Sequence, residues 1–217
     1  MIDSLAHEKR NALLDRGPFT PGSDNRTIPA TRFPMTTTTW SPTSYVRDAT
    51  SNTSGLAEVP PTPIVIPHEA GELFDRAGFG IHWKIDGDQT AGRFSVVHHP
   101  LAPRVLAAPL HRHHREDEYS YVLTGTLGAI LGDDVVTAQP GTWVFKPRNQ
   151  WHTFWNAGDT PCEIIEVISP AGFEDFFRGL AAVWPDMEKF AAVAREFELD
   201  IDPDSVPKLC ARFGVRF

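Results

Sequence analysis

Cysteine and long hydrophobic runs are scarce in this sequence. Its only two cysteines, Cys162 and Cys210, lie far apart and in no spacing typical of a metal site, which excludes a disulfide-rich scaffold. No apolar run approaches the roughly 18 residues of a membrane span. The first residues, MIDSLAHEKRNALLDRG, lack the apolar segment of a signal peptide. These absences predict a cytoplasmic protein with free thiols and no membrane partner.

Positive charge is also in short supply. The chain has 20 Lys and Arg against 28 Asp and Glu, a formal net charge of -8. Nucleic-acid phosphates and anionic membranes would repel such a surface. The 41% hydrophobic content is that of a globular chain, and 217 residues suffice for one domain with a sizeable core. We therefore expect a small-molecule substrate, and no nucleic acid, as the binding partner.

Residues 1–58 are predicted to form a long irregular N-terminal tail. From residue 20 to residue 63, 23 of 44 positions are Thr, Ser or Pro, a composition poor in core-forming side chains. The segment fits either a disordered tail or one that lies along a partner subunit. Met35, which begins the stretch MTTTTWSP, is an alternative start of the chain.

Residues 59–170 contain about eight short segments typical of strands. Examples are GRFSVVHHP, EYSYVLTG and CEIIEVISP, each rich in β-branched or aromatic residues and mostly bounded by Gly, Pro, Asp or Asn. No helical period separates them. The pattern predicts an all-β domain, either an antiparallel sandwich or a jelly roll.

Residues 171–217 are predicted to be helical. The apolar residues of the first helix recur at i, i+3, i+4, i+7 and i+11, and Pro185 follows the last of them. They are Phe173, Phe176, Phe177, Leu180 and Trp184. A second helix is expected after an Asp186 cap, and a short third helix is expected to end at Gly214. We expect these apolar stripes to pack on the outside of the β domain.

Potential metal ligands are concentrated between residues 111 and 118. His111 and His113 are two residues apart, so on a strand both side chains leave the same face. Glu118 follows, with Glu116 and Asp117 as neighbouring carboxylates, and the stretch GTWVFKPRNQWHTFWN supplies His152 farther along. Neutral imidazoles with a carboxylate suit divalent first-row ions. The remaining histidines, including His99 and His114, have no comparable partner pattern, and we expect them to be surface or structural residues.

These two blocks resemble the paired signature of the cupin superfamily, a small jelly-roll barrel. The matching positions are His111, His113, Glu118 and Gly125 in the first block and Gly141, Pro147, His152 and Asn156 in the second. Two signature glycines are replaced, by Val105 and Asn149, and asparagine tolerates the left-handed conformation better than most residues. The resemblance implies that His111, His113, Glu118 and His152 bind one divalent transition metal ion: Fe, Mn, Ni, Cu, Co or Zn.

Three segments are similar to bacterial single-domain proteins of the quercetin 2,3-dioxygenase-like group: DEYSYVLTG, VFKPRNQWHTFWN and ISPAGFEDFF. This resemblance implies a homodimeric oxidoreductase, a dioxygenase that acts on an enol or a hydroxylated, flavonol-like aromatic, with Glu118 as the catalytic base. Two alternatives stay open. One is a non-oxidative lyase, isomerase or cyclase that acts on a secondary metabolite, and the other is a non-catalytic small-molecule-binding cupin.

Aromatic residues surround both blocks. Phe154 shares strand parity with His152 and should face the same interior. Together with Phe145, Trp143 and Tyr121, it is predicted to line a pocket for a planar organic substrate. The opposing interpretation is that these rings are ordinary barrel residues and that some of them face outward.

Overall fold

The computed structural model describes residues 12–19 and 63–217. Most of the predicted tail therefore lies outside the described residues. Its described part packs against the end of the chain: Leu13 and Leu14 are buried, and the Phe19 amide donates to the carbonyl of Arg212 at 2.8 Å. None of the helices in these two ranges is both long and apolar enough to cross a membrane. Cys162 and Cys210 are free thiols.

Eleven strands in the described ranges form two antiparallel sheets. The larger sheet has the order β1 (Leu73–Arg76), β2 (Phe79–Ile85), β3 (Ser95–Leu101), β10 (Cys162–Ser169), β5 (Asp117–Thr124) and β8 (Trp143–Lys146). The smaller sheet has the order β11 (Leu199–Asp202), β4 (Leu110–His113), β9 (His152–Asn156), β6 (Leu127–Leu131) and β7 (Asp134–Ala138). These two sheets form a jelly-roll barrel, and they confirm the predicted all-β class.

Strand alternation decides which side chains face the interior of the barrel. Along β10 every second residue is buried, starting at Cys162, and along β5 Glu118, Ser120 and Val122 are buried. The turn after β5 needs glycine at Gly125, where φ is +74° and an added Cβ would lie 2.5 Å from the Pro161 carbonyl oxygen. Asn149 replaces a signature glycine and adopts a φ of 64°, so the left-handed turn is retained.

Three helices follow the barrel strands: α1 (Glu174–Val183), α2 (Met187–Glu196) and α3 (Ser205–Phe213). The Asp186 side chain caps α2 by accepting from the amides of Glu188 and Lys189, as predicted. Phe176, Phe177 and Leu180 of α1 join the barrel's own hydrophobic core, so this helix closes part of the barrel.

One strand lies within the segment expected to be helical. β11 pairs antiparallel with β4, with Ile201 opposite His111 and Leu199 opposite His113. Its sequence, LDID, is four residues long and carries only two apolar side chains, so local pattern does not separate it from a loop. Pairing with β4 places it directly beside two of the predicted metal ligands.

Candidate metal centre

The four predicted ligands come from three strands and converge inside the barrel. β4 provides His111 and His113, β5 provides Glu118 and β9 provides His152. One potential ligand atom from each residue lies within 4.8 Å of all the others, and all four side chains are buried. His111 faces His152 directly across the β4–β9 pair. Residues that are 41 positions apart in the chain therefore meet because of strand register.

Backbone carbonyls orient two of the imidazole rings. Nδ1 of His111 lies 2.8 Å from the Pro109 carbonyl oxygen, and Nδ1 of His152 lies 3.0 Å from that of Gln150. Donation from Nδ1–H leaves the Nε2 lone pair of each ring available to an ion. Nε2 of His113 is 3.2 Å from Glu118 Oε1, yet it is buried without a directional hydrogen bond. The donor set and this unsatisfied nitrogen both fit a divalent metal ion.

The electrostatics of the centre favour cation binding. Burial and the neighbouring histidines lower the pKa of His111 well below its ordinary value, and burial lowers the pKa of His152. Burial alone would raise the pKa of Glu118, but Lys146 and His113 hold it well below its usual range. Burial also opposes protonation of His113, but Glu118 and Glu116 outweigh it and raise the pKa of His113 to about 9. A bound divalent ion would displace that proton.

Glu118 also belongs to a buried network of charged side chains. Lys146 Nζ lies 2.8 Å from Glu118 Oε2 and 2.6 Å from Glu166 Oε1. Ser120 Oγ donates to Glu166 Oε1 at 2.8 Å, and His99 Nε2 lies 3.8 Å from Glu166 Oε2. The lysine therefore fixes one oxygen of Glu118, the carboxylate among the predicted ligands.

Lys146, Glu166 and His99 were not among the predicted site residues. The available signal was strand parity. Glu166 lies on the same buried face of β10 as Ile164 and Ile168. Lys146 likewise lies on the same buried face of β8 as Val144. A charged residue at an inward-facing position of an apolar strand indicates a partner inside the barrel.

A cavity of about 80 Å³ opens beside the ligands and reaches His111 and Glu118. This is several times the roughly 10–15 Å³ that one water needs, so there is room for a small organic molecule. Most of the wall is aromatic or aliphatic: Phe79, Ala107, Pro109, Phe154, Phe173, Phe176, Phe177, Leu180, Trp184 and Phe190 contribute. The polar exceptions include Arg76, His99 and Glu166.

Only one of the four predicted pocket residues lines this cavity. Phe154 lies in its wall, as strand parity predicts. Trp143 and Phe145 are 59% and 50% exposed, and they pair across the sheet with Tyr121 and Tyr119. Glu118 and Ser120 occupy the inward positions of β5, so these alternate residues must face outward. The placement of Tyr121, Trp143 and Phe145 in the pocket is thus corrected.

The neighbouring acidic and histidine residues have other partners. Asp117 accepts from the Arg148 guanidinium at 2.9 Å, and Glu116 Oε2 lies 3.7 Å from Nδ1 of His113. His114 leaves the opposite face of β4 and lies 2.9 Å from Asp200, away from the centre. Of the three adjacent carboxylates, Glu118 is therefore the one placed among the histidines.

Residues 98–168 match the family model described as "Cupin domain". No curated protein matches the chain. Similar solved structures include KdgF from Halomonas sp., at 16% identity over 52% of this chain and 99% of that one, with a TM-score of 0.47. A predicted oxalate decarboxylase from Thermotoga maritima shows 22% identity over 49% and 99%, with a TM-score of 0.45. The Streptomyces nucleoside dehydratase Pac13 shows 18% identity over 52% and 88%, with a TM-score of 0.43.

Proposed function

Residues 98–168 form a cupin domain, and from this premise we propose that the protein is a mononuclear metal-dependent enzyme. Its substrate is a small enol or hydroxylated aromatic, flavonol-like in chemistry, and its reaction is that of a dioxygenase. One observation carries the proposal: three histidines and one carboxylate, with potential ligand atoms within 4.8 Å of one another, at the wall of an aromatic cavity.

The ligand set leaves room for substrate. His111, His113, Glu118 and His152 would provide four bonds, so that one or two coordination positions stay open. A bound ion supplies Lewis acidity and, when it is redox-active, the means to use dioxygen. The aromatic walls exclude water and offer flat surfaces to a planar substrate.

Glu118 is the proposed catalytic base. Its carboxylate lines the cavity, and although burial alone would raise its pKa, Lys146 and His113 hold the pKa well below the usual range, so the carboxylate is ionised. An ionised carboxylate beside the substrate has a free oxygen to receive the proton of a substrate hydroxyl. Lys146 holds one of its oxygens through the 2.8 Å ion pair. A carboxylate fixed in this way keeps its orientation while substrate binds.

A second candidate is a non-oxidative lyase, isomerase or cyclase. Glu166 also lines the cavity, and burial raises its pKa, the opposite of the shift at Glu118. Two carboxyl groups whose pKa values are displaced in opposite directions form a proton acceptor and a proton donor. Such a pair supports proton transfer without dioxygen.

Elemental analysis of freshly purified protein tests the metal site first. We expect about one transition-metal ion per chain, lost in His152→Ala and retained in the matched control His114→Ala, whose imidazole contacts Asp200 instead. Oxygen uptake with flavonols and other enols then tests the dioxygenase. Stoichiometric zinc would favour the non-oxidative reaction. Absence of any ion after anaerobic reconstitution would leave a non-catalytic binding protein.

We also infer a cytoplasmic homodimer. Supporting this are the free thiols and an outer aromatic strip, defined as Tyr119, Tyr121, Trp143 and Phe145. Two of its rings are at least half exposed, and exposed contiguous aromatic surface is typical of protein interfaces.

A further inference from the structure

We propose that Arg76 is the anion-binding residue of the cavity and that the substrate carries a carboxylate. The inference deepens the proposed function, on which it rests, by assigning a chemical class to the substrate. Arg76 is the last residue of β1 and is only 5% exposed, yet it lines the same cavity as His111 and Glu118.

The guanidinium of Arg76 is held rigidly. Its Nη2 donates to the carbonyl oxygen of Ala107 at 2.6 Å and to that of Leu106 at 3.4 Å. Its central carbon lies 3.9 Å from the centroid of the Phe217 ring and 5.4 Å from that of Trp184. These contacts occupy one edge and the ring-facing side of the group, and they fix its plane. A preorganised fork of this kind loses little entropy when it binds a planar anion.

Arg76 forms no ion pair with any described residue, although the carboxylate of its neighbour Asp75 attracts it electrostatically. The adjacent Asp75 carboxylate accepts instead from the amide of Gly78 at 3.0 Å. Arg112, Arg148 and Arg178, by contrast, each pair with a carboxylate within 3 Å. Burial lowers the pKa of Arg76 to about 10, so the group stays charged at neutral pH. A buried cation without a directly paired carboxylate is costly, and an anion in the cavity would offset that cost.

The surroundings select a carboxylate among anions. Guanidinium binds carboxylate through two parallel hydrogen bonds. The Glu118 carboxylate lines the same cavity and would repel a dianionic phosphate more than a monoanion. The intervening wall is aromatic, with Phe173 and Phe177 among its residues. The substrate class is therefore a small aromatic or unsaturated carboxylic acid whose enol or keto oxygen faces the histidines.

Phenylpyruvate and its methyl ester provide a matched pair of probes, since they share a ring and an enolisable carbonyl and differ in charge. Calorimetric titration would measure both dissociation constants for the wild type, Arg76→Gln, Arg76→Lys and the control Arg178→Gln. We expect Arg76→Gln to weaken binding of the acid about 10- to 100-fold, the range of a charged hydrogen bond. Binding of the ester should change less than about twofold, within ordinary additivity error. Arg76→Lys should be intermediate, and Arg178→Gln should match the wild type.

The readout is the ratio of acid to ester affinity within each protein, so a partly unfolded variant does not distort it. An unchanged ratio in Arg76→Gln, or no binding of the acid to the wild type, would overturn the inference. Repeating the titration after chelator treatment separates it from the proposed function. Arginine-dependent acid binding without any metal in the native protein would uphold Arg76 and reject the metal enzyme. Metal binding without an arginine effect would do the reverse.

Discussion

On β5 and β8, charged and polar side chains lie on the inner face of the barrel and large aromatic side chains lie on the outer face. Inside the barrel these strands place Glu118, Ser120 and Lys146, and the lysine is 1% exposed. Outside, they place the outer aromatic strip, in which Trp143 is 59% exposed. Charged groups are ordinarily solvated and large rings buried. The reversal is what the proposed metal centre requires, because charged side chains must reach the interior of the barrel.

Different forces hold the two faces together. On the inner face, Lys146 compensates two buried carboxylates, and removal of one member leaves uncompensated charge. On the outer face, rings stack across the strands, with centroid distances of 4.9 Å for both Tyr119–Phe145 and Tyr121–Trp143. Exposed cross-strand pairs contribute roughly 0.2–1 kcal/mol each. Substitutions should therefore have large effects inside and small effects outside.

Among the substitutions that compare the two faces, Lys146→Met should lower the free energy of unfolding the most. The variant keeps most of the side-chain volume but leaves Glu118 and Glu166 buried without their cation. We expect a loss of about 3–5 kcal/mol in the free energy of unfolding, measured by denaturant titration of metal-free protein. The preceding residue supplies the control, because Phe145→Ser changes only the outer face. Equal stability of the two variants would contradict the assignment.

The second largest effect should come from acidification, which should destabilise the folded protein through the buried His99. His99 is buried, and burial lowers its pKa from 6.5 to about 4 in the folded protein. Between these pH values the unfolded chain binds more protons, so stability is full above about 6.5 and falls as the pH drops towards 4. At about 1.4 kcal/mol per pH unit, the loss amounts to about 3 kcal/mol.

The His99→Gln variant isolates this effect, because the shifts at His111 and His152 have the same sign and remain in both proteins. Unfolding free energies measured at several pH values should fall less steeply for the variant than for the wild type. Parallel curves for the two proteins would show that His99 is not the group responsible.

Polar substitution on the outer face should give the smallest change in stability. We expect Trp143→Ser to cost no more than about 1 kcal/mol in the folded monomer, since the ring is mostly solvated and only its stacking on Tyr121 is lost. Sedimentation velocity measures the second consequence. If the outer aromatic strip forms the homodimer interface, the variant should sediment as a monomer at concentrations where the wild type is dimeric. An intact dimer would place the interface elsewhere.

Much of the fold and of the metal centre follows from local pattern. Alternating strands bounded by turn residues predict the β domain, and the i, i+3, i+4 stripe predicts α1, which the structure shows at Glu174–Val183. The resemblance of two sequence blocks to the cupin signature predicts His111, His113, Glu118 and His152 as ligands, and the structure brings these four side chains together. β11 was missed because four residues between helices carry too little periodicity to be recognised.

The sequence predicted which potential ligands converge, but it did not predict which aromatic side chains face the cavity. Tyr121, Trp143 and Phe145 lie near the signature residues in the sequence but alternate with them on their strands. Parity along one strand follows from sequence once an inward residue is known, as for His152 and Phe154. It does not carry across a turn to β8, where Lys146 rather than Phe145 faces inward.

The sequence by itself determined most of the strands, the three helices and the choice of four candidate ligands, because strand alternation and motif spacing are local properties of the chain. Only the tertiary structure decided that Lys146, Glu166 and His99 form a buried network beside Glu118 and that Arg76 shares its cavity. These contacts join β1, β3, β5, β8 and β10, and their formation depends on sheet order and register. Long-range pairing of this kind is set by how the whole barrel buries its apolar faces, which no local stretch of sequence specifies.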